Sequence, residues 1–149
     1  NAPDTQPKGS TMPDGASRVT GKFDVKLASL GAEPGADPSL GRMSIAKQFH
    51  GDLEGVSQGQ MLTGMTAVKG SAGYVAIERF TGTLAGRKGS FTLQHYGIMD
   101  RGQPALTVTV IPDSGTDELV GLTGSMTIDI KEGGAHFYTF EYTLPPAEK

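Results

Sequence analysis

Leu84-Ala-Gly-Arg-Lys-Gly-Ser-Phe-Thr-Leu93 is followed 35 residues later by Leu119-Val-Gly-Leu-Thr-Gly-Ser-Met-Thr-Ile128, and the two stretches share one pattern. Each reads Leu-x-Gly-x-x-Gly-Ser and continues with an apolar residue, threonine and a second apolar residue. A strand end, a turn that carries glycine and an alternating segment are typical of a β-hairpin. Two similar hairpins at this spacing predict an antiparallel barrel or sandwich, and they carry no information about chemistry.

Short strands are predicted along the rest of the chain, where no segment has a helical period over ten or more residues. The predicted strands cover residues 19–27, 42–50, 54–68, 74–84, 91–99, 106–111, 118–121, 125–130 and 135–144. Closure removes the unpaired edges of a sheet, so we predict an all-β fold in which eight or nine antiparallel strands form a single barrel. A two-sheet sandwich is the alternative.

The composition excludes several classes of function. The 149 residues form one domain with a net charge of −3, which does not favour nucleic acid or anionic membranes as partners. Cysteine is absent, which rules out disulfides and thiolate chemistry. No apolar run approaches the roughly 20 residues of a membrane-spanning helix, so we expect a soluble chain.

The first residues are interpreted separately from the domain. Asn1-Ala2 resembles the remnant of an expression tag, and residues 1–17 form a polar segment that we expect to be a flexible tail. The barrel domain is predicted over residues 18–146. Such a tail fits a removed signal peptide and a trimmed terminus equally well, so cytoplasmic and exported locations both stay open.

Over residues 18–145 the chain resembles a bacterial family of unknown function. The stretches that carry the resemblance are residues 41–45, 49–55, 66–77, 93–95 and 110–115. Members of that family look like allene-oxide-cyclase-type barrels, a fold shared with plant dirigent proteins. The resemblance therefore implies an eight-stranded antiparallel barrel. It implies no activity and no catalytic residue, because fold alone does not determine function.

Alternation predicts which side chains point inward. The apolar residues of the alternating segment in the second stretch are Met126, Ile128 and Ile130. Aligned positions in similar hairpins face the same side, so Phe91, Leu93 and His95 are predicted on the inner face of the first. A histidine at the position that an isoleucine occupies in the other copy requires a hydrogen-bonding partner.

The same argument places Tyr74, Glu78 and Phe80 on one inward face, with Val75 and Ile77 as the alternative buried set. Lys47 shares an inward face with apolar neighbours. A Lys47–Glu78 ion pair, or a Glu78–His95 hydrogen bond, would offset the cost of burial. If Glu78 is partly desolvated, we expect its pKa to rise, as a general acid or base requires.

We predict a ligand-binding set made of polar and aromatic inward side chains, of which Glu78 and His95 are the candidates for a catalytic role. The set is Lys47, Tyr74, Glu78, His95, Tyr138 and Tyr142. His50, Asp52 and Glu54 are interpreted as a polar hairpin tip. We predict no metal site and no cofactor.

Three functions are compatible with this sequence. The leading hypothesis is a binding module that holds a small apolar ligand in the barrel interior or mouth. The second is a cofactor-free cyclase or isomerase, with Glu78 as general base or electrostatic stabiliser and His95 or Lys47 as its proton partner. The third is a structural protein with a filled core that forms homo-oligomers through exposed apolar residues such as Val75, Ile77 or Ile111.

Overall fold

The structure, a computed structural model, describes residues 10–11 and 16–146. The strands are β1 (Ser10–Thr11), β2 (Ser17–Ser29), β3 (Leu40–Gly51), β4 (Leu53–Met65), β5 (Ala72–Leu84), β6 (Arg87–Asp100), β7 (Gln103–Val110), β8 (Thr123–Ile130) and β9 (His136–Thr143). Two single-turn 3-10 helices cover Asp117–Leu119 and Glu132–Gly134. The predicted tail, with Asn1-Ala2, falls largely outside the described residues, and its described part includes β1, which pairs with β2.

Strands β2 to β9 form a closed antiparallel barrel. Each pairs with the next along the chain, and β2 also pairs with β9, which closes the sheet. The register followed from Ser29 once around the barrel returns to β2 at Val19, so the strands are tilted against the barrel axis. The predicted eight-stranded barrel is confirmed, and the sandwich alternative is wrong.

The two similar stretches form different turns. In the first, Ala85 and Gly86 both have positive φ, 48° and 87°, and they connect β5 to β6 as a two-residue hairpin. In the second, Gly121 also has a φ of 87°, but Val120 has φ −58° and ψ 131°. A β-branched residue disfavours positive φ, so the same glycine produces a different turn. The predicted strand over residues 118–121 is therefore wrong.

One end of the barrel is closed by the segment between β7 and β8. Phe49, Phe80, Phe91 and Phe140 are fully buried in the core. Leu119 and Leu122 belong to the same core cluster, because the 3-10 helix packs against β6. Tyr138 is buried beside Phe49, and its hydroxyl accepts a hydrogen bond from the Leu53 amide at 2.9 Å. Apolar burial in this half stabilises the fold.

The opposite end is open, and we call it the open mouth. The loops that connect β2 to β3, β4 to β5, β6 to β7 and β8 to β9 all lie there. Its rim consists of inward-facing, partly or largely exposed apolar side chains, namely Leu27, Met43, Met61, Met99, Leu106 and Ile130. Ile130 was predicted in the core and is 69% exposed, because it is the last residue of β8. The inward face thus reaches solvent at this end.

Candidate functional site

Five polar side chains meet inside the barrel, beneath the open mouth. The Glu78 carboxylate is at their centre: Oε2 accepts hydrogen bonds from Lys47 Nζ at 2.8 Å and from His95 Nε2 at 2.5 Å. Oε1 accepts a hydrogen bond from the Ser57 hydroxyl at 2.8 Å. His95 Nδ1 is 3.3 Å from the hydroxyl of Tyr74. We call Lys47, Ser57, Tyr74, Glu78 and His95 the polar cluster.

Adjacent strands bring the polar cluster together. Lys47 lies on β3, Ser57 on β4, Tyr74 and Glu78 on β5, and His95 on β6. Lys47 pairs with Ser57 in the register between β3 and β4, which places the two inward side chains side by side. The alternation that was predicted for these strands is the physical cause of the cluster, since every second residue points into the barrel.

The polar cluster is almost inaccessible to water. Glu78 is 0% exposed, His95 3% and Lys47 8%, whereas Tyr74 is partly exposed. The Lys47 ammonium also lies 4.7 Å from the centre of the Phe23 ring, which adds a cation–π contact. Among the described residues, no buried side-chain polar atom lacks a hydrogen-bond partner. The desolvation cost of the buried charges is therefore offset by pairing.

The pKa of Glu78 is shifted in the direction opposite to the one expected. Burial raises this pKa, but the hydrogen bond from His95 and the positive charge of Lys47 outweigh burial and lower it from 4.5 to about 2. The expectation of a raised pKa is wrong, because it considered desolvation without the two partners acting together. Glu78 is an ionised acceptor that orients its neighbours, and so acidic a carboxylate is a weak general base.

Tyr74 is held as a neutral phenol. Burial and the negative charge of Glu78 raise the pKa of its hydroxyl above the ordinary value of 10.0. Its ring lies over Gly97, where an added Cβ would come within 2.4 Å of the ring. Glycine at this position therefore allows the ring to lie flat against β6, which brings the hydroxyl to His95.

The structure brings four of the six predicted ligand-binding residues together. Val75 and Ile77 are 49% and 52% exposed, so the alternative in which they form the buried set is wrong. Tyr138 and Tyr142 do not join the polar cluster: Tyr138 binds the backbone of Leu53, and Tyr142 stacks on Phe140. The four that meet are Lys47, Tyr74, Glu78 and His95.

Sequence reasoning missed Ser57. It lies in a stretch of β4 that contains Gly55 and Gly59, and glycines inside a strand commonly mark bulges or bends. In the structure β4 is continuous from Leu53 to Met65. Every second residue of β4 points inward, and this series runs from Leu53 through Gly55 to Ser57. The series would have predicted an inward Ser57, but it is hard to recognise in the sequence because glycine has no side chain.

A groove of about 740 Å³ lies on the outer surface of the barrel. This outer groove is lined by residues of β4, β5 and β6, among them the exposed Leu62, Val75, Ile77 and Tyr96 and the buried Ala76 and His95. The four exposed side chains lie on the opposite side of the sheet from the side chains of the polar cluster. Ile111, which was predicted to be an exposed apolar residue, is only partly exposed.

The hairpin tip between β3 and β4 carries charged side chains. His50 Nε2 is 3.3 Å from Asp24 Oδ2, and His50 Nδ1 is 3.6 Å from Glu54 Oε2. Within residues 16–146, no group of three or more histidine or carboxylate side chains is arranged to hold a metal ion. In the same part of the chain, no helix is long and apolar enough to span a membrane.

Comparison with known proteins agrees with the barrel. No curated protein matches the chain. The crystal structure of a protein of unknown function from the DUF3224 family of Shewanella oneidensis MR-1 matches with a TM-score of 0.82 and 54% sequence identity. That match covers 89% of this chain and 99% of the Shewanella chain. A family described as "Protein of unknown function (DUF3224)" matches residues 19–142. Since this match spans almost the whole barrel, the chain belongs to the DUF3224 family.

Proposed function

We propose that the protein binds a small, uncharged, largely apolar molecule in the open mouth, above the polar cluster. The observation that carries the proposal is the exposed apolar rim directly over a buried, hydrogen-bonded polar floor. Binding sites for small molecules combine an apolar lining with a few fixed polar groups in this way. Tyr74 is the partly exposed member of the floor, and it would contact the ligand.

The rim supports the proposal through its composition. Met43, Met61 and Met99 are flexible thioethers, which adapt to ligands of different shape. Leu27 and Ile130 add apolar surface that water covers in the free protein. Covering that surface with an apolar ligand would be favourable by roughly 25 cal/mol per Å² before the cost of association is counted.

The asymmetry of the barrel also supports the mouth as the binding place. The half that contains Phe80 and Phe91 is occupied by aromatic side chains, and Leu119 covers its end. A ligand that entered that half would have to displace close-packed rings, which costs several kcal/mol. The mouth requires no such displacement.

The polar cluster favours an uncharged ligand. Lys47 and Glu78 form an ion pair at 2.8 Å and both side chains are buried, so neither presents its charge to an ionic head group in the mouth. A carboxylate or an amine brought into the mouth would be desolvated without a partner. The cyclase or isomerase alternative stays a prediction, and the lowered pKa of Glu78 makes this carboxylate a weak general base for it.

A fluorescent dye titration tests this proposal. N-phenyl-1-naphthylamine is neutral and apolar, and we expect saturable fluorescence enhancement with one site per chain. Leu27→Glu places a charge on the rim and should weaken dye binding at least tenfold. Ile77→Glu, at a similarly exposed position in the outer groove, is the matched control and should leave dye binding unchanged.

The opposite pattern would overturn the proposal. If Ile77→Glu abolishes dye binding and Leu27→Glu does not, the outer groove is the binding site. If neither the native protein nor either variant binds the dye saturably, the mouth does not bind apolar molecules. Circular dichroism and a thermal melt of each variant establish that the barrel is intact.

A second candidate function is self-association through the outer face of β4 to β6. It is favoured by the cluster of exposed apolar side chains there, among them Leu62, Val75, Ile77 and Tyr96. Contiguous exposed apolar surface is typical of protein interfaces. Sedimentation velocity of the native protein and of Ile77→Glu tests this role. A native dimer that dissociates in the variant supports it. A native protein that stays monomeric at high micromolar concentration contradicts it.

A further inference from the structure

We infer that the ligand of the open mouth carries a hydroxyl group, which donates a hydrogen bond to the phenol oxygen of Tyr74. The ligand class is thus an apolar alcohol or phenol. This inference rests on the proposed binding function, and it adds which partner donates the hydrogen bond between the ligand and Tyr74. It follows from the direction of the hydrogen bonds within the polar cluster, which can be worked out group by group.

The first step fixes the proton on His95 Nε2. Glu78 is ionised, and a carboxylate only accepts hydrogen bonds. His95 Nε2 lies 2.5 Å from Glu78 Oε2, so this nitrogen must be the donor. The carboxylate therefore selects the imidazole tautomer, as an acidic side chain commonly does for a buried histidine.

The second step makes His95 Nδ1 an acceptor. The charges of Lys47 and Glu78 cancel, so the buried group is neutral while the imidazole carries one proton. A second proton on His95 would leave a net positive charge in a region that water hardly reaches, which is unfavourable. With Nδ1 unprotonated, the hydrogen bond of 3.3 Å runs from the Tyr74 hydroxyl to Nδ1.

The third step leaves Tyr74 as an acceptor toward the mouth. Its only O–H proton is used on His95, so its oxygen presents lone pairs. If Tyr74 turned its proton toward a ligand carbonyl instead, Nδ1 would become a buried acceptor without a donor, at a cost of about 1–3 kcal/mol. A chain of hydrogen bonds also polarises its members, so the terminal oxygen is a better acceptor than an isolated phenol.

A comparison of three naphthalenes tests the inference. Naphthalene, 1-methoxynaphthalene and 1-naphthol share an apolar body, and only 1-naphthol has a hydroxyl donor. Each is titrated against bound N-phenyl-1-naphthylamine. We expect 1-naphthol to displace the dye with a Kd about three- to tenfold lower than the other two, the range that one hydrogen bond gives.

Two variants assign that preference to Tyr74. Tyr74→Phe removes the acceptor, and we expect all three compounds to bind it equally. Tyr96→Phe removes a phenol from the exposed outer face of β6 and should keep the preference for 1-naphthol. Thermal melts of both variants check that the barrel stays folded.

The outcomes separate the inference from the function on which it rests. Equal binding of all three compounds to the native protein, with loss in Leu27→Glu, would overturn the hydroxyl inference and leave the apolar mouth intact. A preference for 1-naphthol that persists in Tyr74→Phe would also overturn the inference. If the dye does not bind saturably, or if none of the three compounds displaces the bound dye, the proposed function is overturned.

Discussion

At the scale of single residues, the barrel places a lysine, a glutamate and a histidine where small barrels usually hold apolar side chains. Burying charged groups is unfavourable unless every one of them is paired. Here Glu78 receives three hydrogen bonds, and the Lys47–Glu78 pair has no net charge. This arrangement orients His95 toward the hydroxyl of Tyr74, the partly exposed member of the polar cluster, which links the buried charges to the proposed function.

Removal of the lysine should expose the cost of an unpaired charge. Lys47→Met leaves the Glu78 carboxylate buried without its cation, and we expect a loss of about 3–5 kcal/mol in the free energy of unfolding. Urea denaturation followed by circular dichroism measures it. Lys26→Met, at an exposed position of β2, should change the free energy by less than about 0.5 kcal/mol.

A second substitution checks the cause of that loss. The double variant Lys47→Met/Glu78→Gln removes both charges, and its amide keeps one oxygen that accepts from His95 and one NH2 group that donates to the Ser57 hydroxyl. We expect it to recover most of the stability that Lys47→Met loses, since no charge is left unpaired. If the double variant is as unstable as the single one, packing rather than charge explains the effect.

The low pKa of Glu78 predicts an acid-sensitive barrel. Its pKa is about 2 in the folded protein and 4.5 ordinarily, so the ionised carboxylate stabilises the fold above pH 4.5, and this contribution is lost as the pH falls toward 2. We expect Glu78 to account for a loss of about 2 kcal/mol between pH 6 and pH 3. Urea denaturation at the two pH values measures the change.

The double variant Lys47→Met/Glu78→Gln is also the control for this pH effect, because it lacks the titrating group and keeps the other carboxylates. It should lose about 2 kcal/mol less than the native protein over the same pH interval. Equal losses in the two proteins would mean that Glu78 is not held ionised by its neighbours.

Alternation alone was sufficient to predict that His95, Glu78 and Lys47 share the barrel interior. It could not predict that Lys47 and His95 would donate to the same carboxylate oxygen of Glu78, because that depends on the register from β3 through β6. The pKa direction was missed for the same reason. Single-strand patterns state which face a residue occupies, and they do not state its neighbour across the sheet.

At the scale of secondary-structure elements, the two similar stretches demonstrate how one residue selects a turn. Gly86 and Gly121 have the same φ of 87°, and the residue before each glycine decides the rest. Alanine tolerates the left-handed conformation at a modest cost, whereas valine does not. The similarity of the two stretches predicted two hairpins. Because valine disfavours positive φ, Val120 restricts the two-residue hairpin to the first stretch.

Ala85→Asn should stabilise the protein. Ala85 has a φ of 48°, and the Asn-Gly pair is the preferred sequence for a two-residue hairpin turn with positive φ at both positions. We expect a gain of about 0.5–1 kcal/mol, measured by urea denaturation. Val120→Asn is the matched control at φ −58° and should give no such gain. A destabilised Ala85→Asn variant would contradict the account of this turn.

At the scale of the whole molecule, the barrel has one closed and one open end, and the proposed function depends on this difference. The number of strands and their antiparallel order follow from the turn signals along the chain. Closure at the 3-10 helix could not be predicted, since residues 118–121 resemble a short strand. The sequence predicted a ligand site in the barrel interior or mouth, but not which end of the barrel is open, because apolar rim residues look like core residues in a sequence.

Truncation at each end tests this asymmetry. Leu119 is 0% exposed at the closed end, so we expect Leu119→Ala to lower the free energy of unfolding by about 2–5 kcal/mol. Ile130 lies on the rim of the mouth, where Ile130→Ala should cost less than about 0.5 kcal/mol. Chemical denaturation of both variants decides the matter. Comparable losses would mean that the mouth is packed as tightly as the closed end.

The most direct measurement of the central claim is a titration of isotopically labelled protein with 1-naphthol, followed by two-dimensional NMR. We predict saturable chemical-shift changes at the open mouth, in residues such as Leu27, Met61, Tyr74 and His95, with the Tyr74 region shifting most. Shift changes confined to Ile77 and its neighbours in the outer groove, or none at saturating 1-naphthol, would contradict ligand binding in the mouth of the barrel.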